Sequence, residues 1–420
     1  MVIKGMKPTQ RKHSIADEFK HVKINDYRIV KRLKNTAELL EKNPESSIPK
    51  ACQNIAQVKA VYRLLDNSKL KHNMIMDSHR KETIKRMKGL DKVLVLQDSS
   101  ELNFTTHIKT KGLGPIGTTK NLLGLIMHSA LCVTTNGVPL GLLAQRIWAR
   151  NFNERGKSSF RRKLPIEKKE SYKWLEIMDL SLISLPKNIT AVTVADREAD
   201  IYELFHKAVQ DNRELLIRAT HDRRVAQEQE RLYQQIHNSP ITGECIIQVP
   251  RNSKLNVAER NAKLMIKICQ VTLRPPLNGI KRNLANVNLY AIYAEETFPP
   301  EGFNPVQWLL LTTLPVTDFE QAMEKIHWYC HRWKIERFHF TLKSGCEIED
   351  LQLETSDRLK NAISLYSVLA WKLTWITYQS RETPDAPCSL ILEEHEWKVL
   401  CCLVNKTSRP PKKPPTLQEV

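Results

Sequence analysis

Tyr329, Arg332, Glu336 and Lys343 are spaced by three, four and seven residues in the run from Tyr329 to Lys343. At 100° per residue they fall within roughly 60° of one another on a helical wheel, so one stripe carries an aromatic, two cations and a carboxylate. Those groups together suit a phosphate and a metal ion. The spacing predicts a helix: Thr317 and Glu320 fit a capping box, Ala322, Met323, Ile326 and Trp333 recur as an apolar stripe beside the polar one, and Gly345 supplies a stop. Taken alone, Arg332 and Glu336 could equally be an ordinary surface ion pair four residues apart. Two carboxylates far upstream decide for chemistry.

The first is Asp98, just past the continuous apolar run Val93-Leu94-Val95-Leu96, which reads as a strand covered on both faces. The second is Asp196, at the end of a similar run over 189–195 and heading Asp196-Arg197-Glu198-Ala199-Asp200. Between them, apolar strands over 122–133 and 138–148 are joined through Asn136-Gly137, which predicts a type I′ hairpin. A polar, basic stretch over 151–170 reads as an exposed loop, then 172–182 as a helix. After Asp196, 201–209 has helical spacing and 214–219 strand character. Three strands, helix, strand, helix, strand, with carboxylates after the first and fourth strands and a third on a later helix, is the layout of the ribonuclease-H-like fold. Three converging carboxylates can hold two divalent cations ~3.5–4 Å apart, the arrangement for in-line displacement at phosphorus. Mg²⁺ suits such an all-oxygen site, and Mn²⁺ can substitute.

Leu96-Gln97-Asp98-Ser99-Ser100, the run Ala195 through Ile201, Trp308-Leu309-Leu310-Leu311-Thr312 and the Tyr-(2)-Arg-(3)-Glu-(6)-Lys signature occur in one order along nearly the whole chain. In that combination the chain resembles the bacterial DDE transposases of the insertion-sequence-four family. The resemblance implies that Asp98, Asp196 and Glu336 are the metal-binding catalytic triad. It implies a nick at the transposon end, a hairpin intermediate formed by the freed 3′-OH, its reopening, and joining to target DNA. Tyr329, Arg332 and Lys343 match positions that grip phosphates beside the cut. Arg218 matches a further DNA contact, and Trp308 the aromatic on which a flipped base stacks. Arg28 and Arg32 match residues that recognise the transposon end.

The whole composition agrees with a polyanionic partner. Lys and Arg number 65 against 46 Asp and Glu, a formal charge of +19. Residues 1–90 hold 21 of these cations and only 9 acids, so the first fifth supplies +12 of the total. Helices are predicted from Asn25-Asp26 onward, where Arg28, Lys31, Arg32 and Lys34 accompany Leu33, Leu39 and Leu40, and over 51–65 and 79–87. They form a DNA-binding unit. Nine cysteines without a Cys-x-x-Cys pair argue against a disulfide framework and a zinc site. No apolar run approaches the ~18 residues that span a bilayer, and Met1 to Lys12 lacks a signal-peptide core. A cytoplasmic, membrane-free, nucleoid-associated bacterial protein is expected.

The expected organisation is a helical end-binding domain over 1–88, an α/β ribonuclease-H-like core with a mixed sheet over 89–380, and a C-terminal helical region and tail over 381–420. The core carries an all-β insertion at about 222–315, because ninety residues without a helix signal cannot be one loop. Helices over 362–378 and 392–404 precede a Pro- and Lys-rich linker. The expected partners are double-stranded DNA, as inverted-repeat ends and target, and a second subunit in a homodimeric synapse. The family continues past the position matching Leu417-Gln418-Glu419-Val420 into helices that pair the subunits, so a shortened or frameshifted copy is expected to transpose poorly. The alternatives are a transposition-defective regulator that binds ends or full-length protein, and a metal nuclease of the same fold without strand transfer.

Overall fold

The computed structural model describes residues 14–118, 121–154, 164–226, 231–249, 258–277 and 283–419. Met1 to Lys12, the centre of the 151–170 loop and Val420 lie outside the described residues. The N-terminal part is helical: α1 (Tyr27–Lys42), the short α2 (Ile48–Ala51), α3 (Ile55–Leu65) and α4 (His72–Arg86). Asp26 caps α1 by accepting from the Arg28 N–H at 3.0 Å. Ile29, Leu33, Ala37 and Leu40 recur at helical spacing and are buried, leaving the cations of α1 on the opposite face.

β1 (Lys92–Asn103), β2 (Gly114–Pro115), β3 (Leu123–Thr134) and β4 (Pro139–Trp148) follow. Next come α5 (Lys173–Leu182), β5 (Thr190–Ala195), α6 (Tyr202–Gln210) and β6 (Glu214–Arg218). The β-rich part contains β7 (Ile241–Val249), β8 (Arg260–Leu273), β9 (Val287–Glu296) and β10 (Gln307–Thr312). It also contains one short helix, α7 (Leu232–His237), which the all-β expectation did not include. Six residues are too few for a 3.6-residue period to register in the sequence.

These strands form one mixed sheet in the order β2-β3-β1-β5-β6-β10-β9-β8-β7, with β4 on the outer side of β3. β1, β5 and β6 run parallel, while β3, β4 and the β7–β10 group pair antiparallel. A mixed sheet with helices on its faces, three antiparallel strands leading into two parallel ones, is a ribonuclease-H-like core. The β-rich segment extends this same sheet from β6 outward through β10.

Two sequence expectations are corrected locally. β1 does not end at Asp98: it runs on to Asn103, because β3 pairs with it along its whole length while β5 stops at the Leu96↔Val194 pair. The hairpin between β3 and β4 is not type I′. Gly137 N–H donates to Thr134 O at 2.8 Å and Thr134 N–H to Val138 O at 2.9 Å, closing a three-residue loop. Gly137 has a positive φ of 90°, whereas Asn136 is not among the positive-φ residues. A type I′ turn needs positive φ at both.

The chain then forms α8 (Phe319–Cys330), α9 (Trp333–Phe340), α10 (Ser356–Glu382) and α11 (Glu394–Val404). α10 is buried over most of its first five turns and packs against α4, β4 and α9, so it ties the N-terminal helices to the sheet. Among the described residues no helix is long and apolar enough to cross a membrane.

Candidate active site at the end of the parallel strands

Asp98 and Asp196 each stand two residues beyond the last paired positions of β1 and β5, Leu96 and Val194. Alternation along a strand puts Asp98 on the face of Leu94 and Leu96, which belong to the same apolar cluster as Ile335 and Phe338 of α9. Asp98 Oδ1 accepts from the Ser99 N–H at 2.8 Å. Asp196 caps the 3₁₀ turn Arg197–Ala199, its Oδ1 accepting from the Glu198 N–H at 2.9 Å.

The helix predicted to carry Tyr329, Arg332, Glu336 and Lys343 is broken. Its cap is Asp318, which accepts from Gln321 N–H at 2.8 Å, rather than Thr317. Between α8 and α9 the hydrogen bonds tighten to the i→i+3 kind: His331 N–H to Trp328 O, Arg332 N–H to Tyr329 O and Ile335 N–H to Arg332 O. Beyond α9 the chain widens into a π turn over Thr341–Gly345. Both changes alter the angular phase of a regular helix. Trp333 therefore leaves the apolar stripe and stands 50% exposed, with the Arg332 guanidinium 4.3 Å from its ring centre. The break is pinned to the β3–β4 loop, where His331 Nε2 donates to Thr135 O at 3.1 Å and Lys334 Nζ to Gly137 O at 2.9 Å.

Arg332 is buried and pairs with Glu336, Nη1 to Oε1 at 2.7 Å. Its Nε is buried without a partner. Burial first, and then the charges of Asp196 and Glu336, push the Asp98 carboxyl up to about 7 against the Ser99 N–H and Arg332. Three carboxylates and one guanidinium thus share an electrostatic neighbourhood. Burial raises Tyr329, despite Arg332 and a hydrogen bond with Arg218. Trp308 packs edge-on against the Tyr329 ring at 5.4 Å, and Arg218 Nη2 donates to Gln307 O at 2.9 Å. Lys343 is held from β1 and the turn beyond: its Nζ donates to Glu101 O and pairs with Glu349 at 3.4 Å.

Arg28 and Arg32 lie elsewhere, with Lys31, Asn35, Gln57 and Ala60 along a groove of about 310 Å³ between α1 and α3. Arg28 is exposed and touches Asp26 through Nε and Nη2, each at 3.2 Å.

One neighbour of Asp98 was not anticipated from the sequence. His339, one turn past Glu336, is buried with its Nδ1 3.8 Å from Asp98 Oδ2. Its only sequence signal is the i+3 spacing from Glu336.

Among the described residues, no three His, Cys, Asp or Glu side chains are grouped closely enough to hold one metal ion. Glu336 is turned onto Arg332 instead. The donor chemistry nonetheless fits a hard divalent cation: the candidate ligands are carboxylate oxygens, and Asp98 resists ionisation chiefly through burial and further through the charges of Asp196 and Glu336.

Residues 11–70 match the family model described as transposase DNA-binding, and residues 175–372 match that of the transposase DDE domain. The second match includes Asp196 and Glu336 and begins after Asp98. A solved structure described as a piggyBac transposase synaptic complex with hairpin DNA overlays at a TM-score of 0.34 with 10% identity. The overlap covers 74% of this chain and 52% of that one, so this chain matches about half of that protein's length.

Proposed function

Since one chain carries a transposase DNA-binding domain and a DDE transposase domain, we propose that it is a cut-and-paste DNA transposase of the insertion-sequence-four kind, similar to the transposase of transposon five. The observation that carries this reading is that Asp98 and Asp196 stand at equivalent positions, each two residues past the last β1–β5 pair, with Glu336 acting on Asp98 from α9. Asp98, Asp196 and Glu336 would hold Mg²⁺ or Mn²⁺. These ions, when bound, polarise the scissile phosphate and lower the pKa of a coordinated water.

Glu336 would serve as an ion ligand with its bond to Arg332 released, and the buried guanidinium would then be available to the DNA phosphate. Arg332, Arg218 and Lys343 neutralise phosphate charge. Tyr329 orients Arg218 and buttresses Trp308, on which a flipped base stacks during hairpin formation. Arg28 and Arg32, on the α1–α3 groove, hold the inverted-repeat end of double-stranded DNA. Four phosphoryl transfers at one site, from first nick through hairpin closing and opening to target joining, need positioning and charge stabilisation rather than covalent chemistry. The working organisation is an end-binding domain over 1–88, a catalytic core over 89–380 and a C-terminal region over 381–420, acting as a homodimer in the synapse.

The test is a supercoiled plasmid carrying the inverted repeats that flank the coding sequence, incubated with the protein and Mg²⁺ or Mn²⁺. Excised fragments with hairpin ends are expected. Nicking without hairpins would leave a nuclease of this fold, and binding without any cut would leave a regulator.

A further inference from the structure

His339 is 6% exposed, packed between α9 and β1 with its ring 5.5 Å from that of Phe338. Its two nitrogens have different surroundings. Nδ1 faces Asp98 Oδ2 at 3.8 Å, while Nε2 is buried with no hydrogen-bond partner. A neutral imidazole carries a single N–H, on one nitrogen or the other. A buried N–H without an acceptor is rarer than a buried lone pair without a donor. The proton therefore belongs on Nδ1, toward the carboxylate, and the lone pair on Nε2.

Asp98 is thereby addressed at both oxygens, by the Ser99 N–H on Oδ1 at 2.8 Å and by His339 Nδ1 facing Oδ2. The second contact is too long to be a hydrogen bond as it stands. Active-site hydrogen bonds commonly tighten when the site is engaged. We propose that His339 is a positioning residue for Asp98, a neutral donor behind the carboxylate that fixes which way its oxygens face the divalent ion. Outer partners of this kind set ligand orientation, and their loss typically costs about 10–100-fold in metal affinity. The proposal rests on the metal-dependent reading of the site.

The competing role is space filling beside Phe338, and side-chain shape separates the two. Asparagine places its amide N–H where Nδ1 stands, whereas glutamine fills more of the ring's volume but places its amide where Nε2 stands. Binding of Mn²⁺ alone to the full-length protein is measured by electron paramagnetic resonance of the free ion, without DNA, for wild type, His339→Asn, His339→Gln and Asp98→Asn. His339→Asn is expected to stay within about threefold of wild type, and His339→Gln to weaken by about tenfold or more. If His339→Gln binds as wild type does, or His339→Asn is as weak as His339→Gln, the positioning role is overturned. Should His339→Gln not fold, His339→Asn alone decides, since a tenfold loss there refutes the role. A wild-type protein whose Mn²⁺ binding does not depend on Asp98 would instead overturn the metal reading itself.

Discussion

Asp98 and Asp196 occupy the same register of two neighbouring parallel strands, each two residues past the terminal Leu96↔Val194 pair. Because β1 and β5 run side by side in one direction, this equivalence brings the two carboxylates to one end of the sheet. β3 follows β1 past that point, with Ser129 opposite Asp98, whereas β5 turns away at Asp196. The opening left there admits α9 with Glu336 and His339 from one face.

A buried carboxylate held near other carboxylates costs stability, which gives a first prediction. The folded-state value for Asp98, about 7, lies above its ordinary 3.8, so the folded state binds the proton more tightly. Stability linked to Asp98 is therefore full below the ordinary value and is lost as pH rises through 7. Without divalent ions, Asp98→Asn should unfold several degrees above wild type at pH 8, and the difference should shrink toward pH 4. Thermal unfolding at the two pH values checks this; a difference that grows at low pH would contradict the assigned shift. The same substitution should abolish DNA nicking.

Glu336→Ala should leave affinity for transposon ends unchanged while removing nicking, since it deletes a proposed ion ligand on α9 whereas the groove proposed to hold the ends lies between α1 and α3. Gel shift and plasmid nicking are the two readouts. A variant that still nicks at the wild-type rate would remove Glu336 from the triad.

Arg28→Ala should do the reverse. One exposed cation on α1 is lost, so affinity for ends should fall and the slope of log affinity against log salt should flatten by about 1. Nicking per bound complex should be unchanged. Affinity and slope both equal to wild type would take Arg28 out of the interface.

How far the sequence foretells the structure depends on the range of the contact that fixes each feature. Asp196 directly after β5 was legible because an apolar run of strand length ends there, and the start of α1 near Asn25-Asp26 because helix starts are set by local residues. His339 was not, since only its packing on β1, more than two hundred residues upstream, distinguishes it from any other helix histidine. The break at His331 and Arg332 is likewise invisible in helical periodicity: it is held by carbonyls of the β3–β4 loop. That loop was misread because Asn-Gly favours a two-residue turn, whereas Thr134 and Val138 pair across three residues. A Cβ on Gly137 would fall 1.9 Å from Lys334 Nζ, so glycine there serves the helix as well as the turn.

The longest-range feature missed is a buried cluster joining the N-terminal helices to the core. Glu18, fully buried, accepts from His79 Nδ1 at 2.5 Å and from Arg86 Nη1 at 2.6 Å. His79 Nε2 in turn accepts the Leu142 N–H at 2.9 Å, and Arg86 Nε donates to Leu140 O, so both side chains reach β4. The Arg86 guanidinium also lies 4.1 Å from the Trp371 ring of α10. Burial alone would raise the Glu18 carboxyl, yet His79 and Arg86 hold it well below the usual carboxylate range. Its contribution is therefore present above the ordinary value of 4.5 and is lost as pH falls below it. Glu18→Ala leaves the Arg86 charge without its buried partner, and breaking one side of such a cluster costs about 3–5 kcal/mol. The variant should unfold at markedly lower denaturant than wild type at pH 7, with the gap narrowing at pH 3. It should also loosen α1–α4 from the core, read as faster amide exchange in α4 and β4. Wild-type stability and exchange at pH 7 would mean that this cluster does not join the two parts.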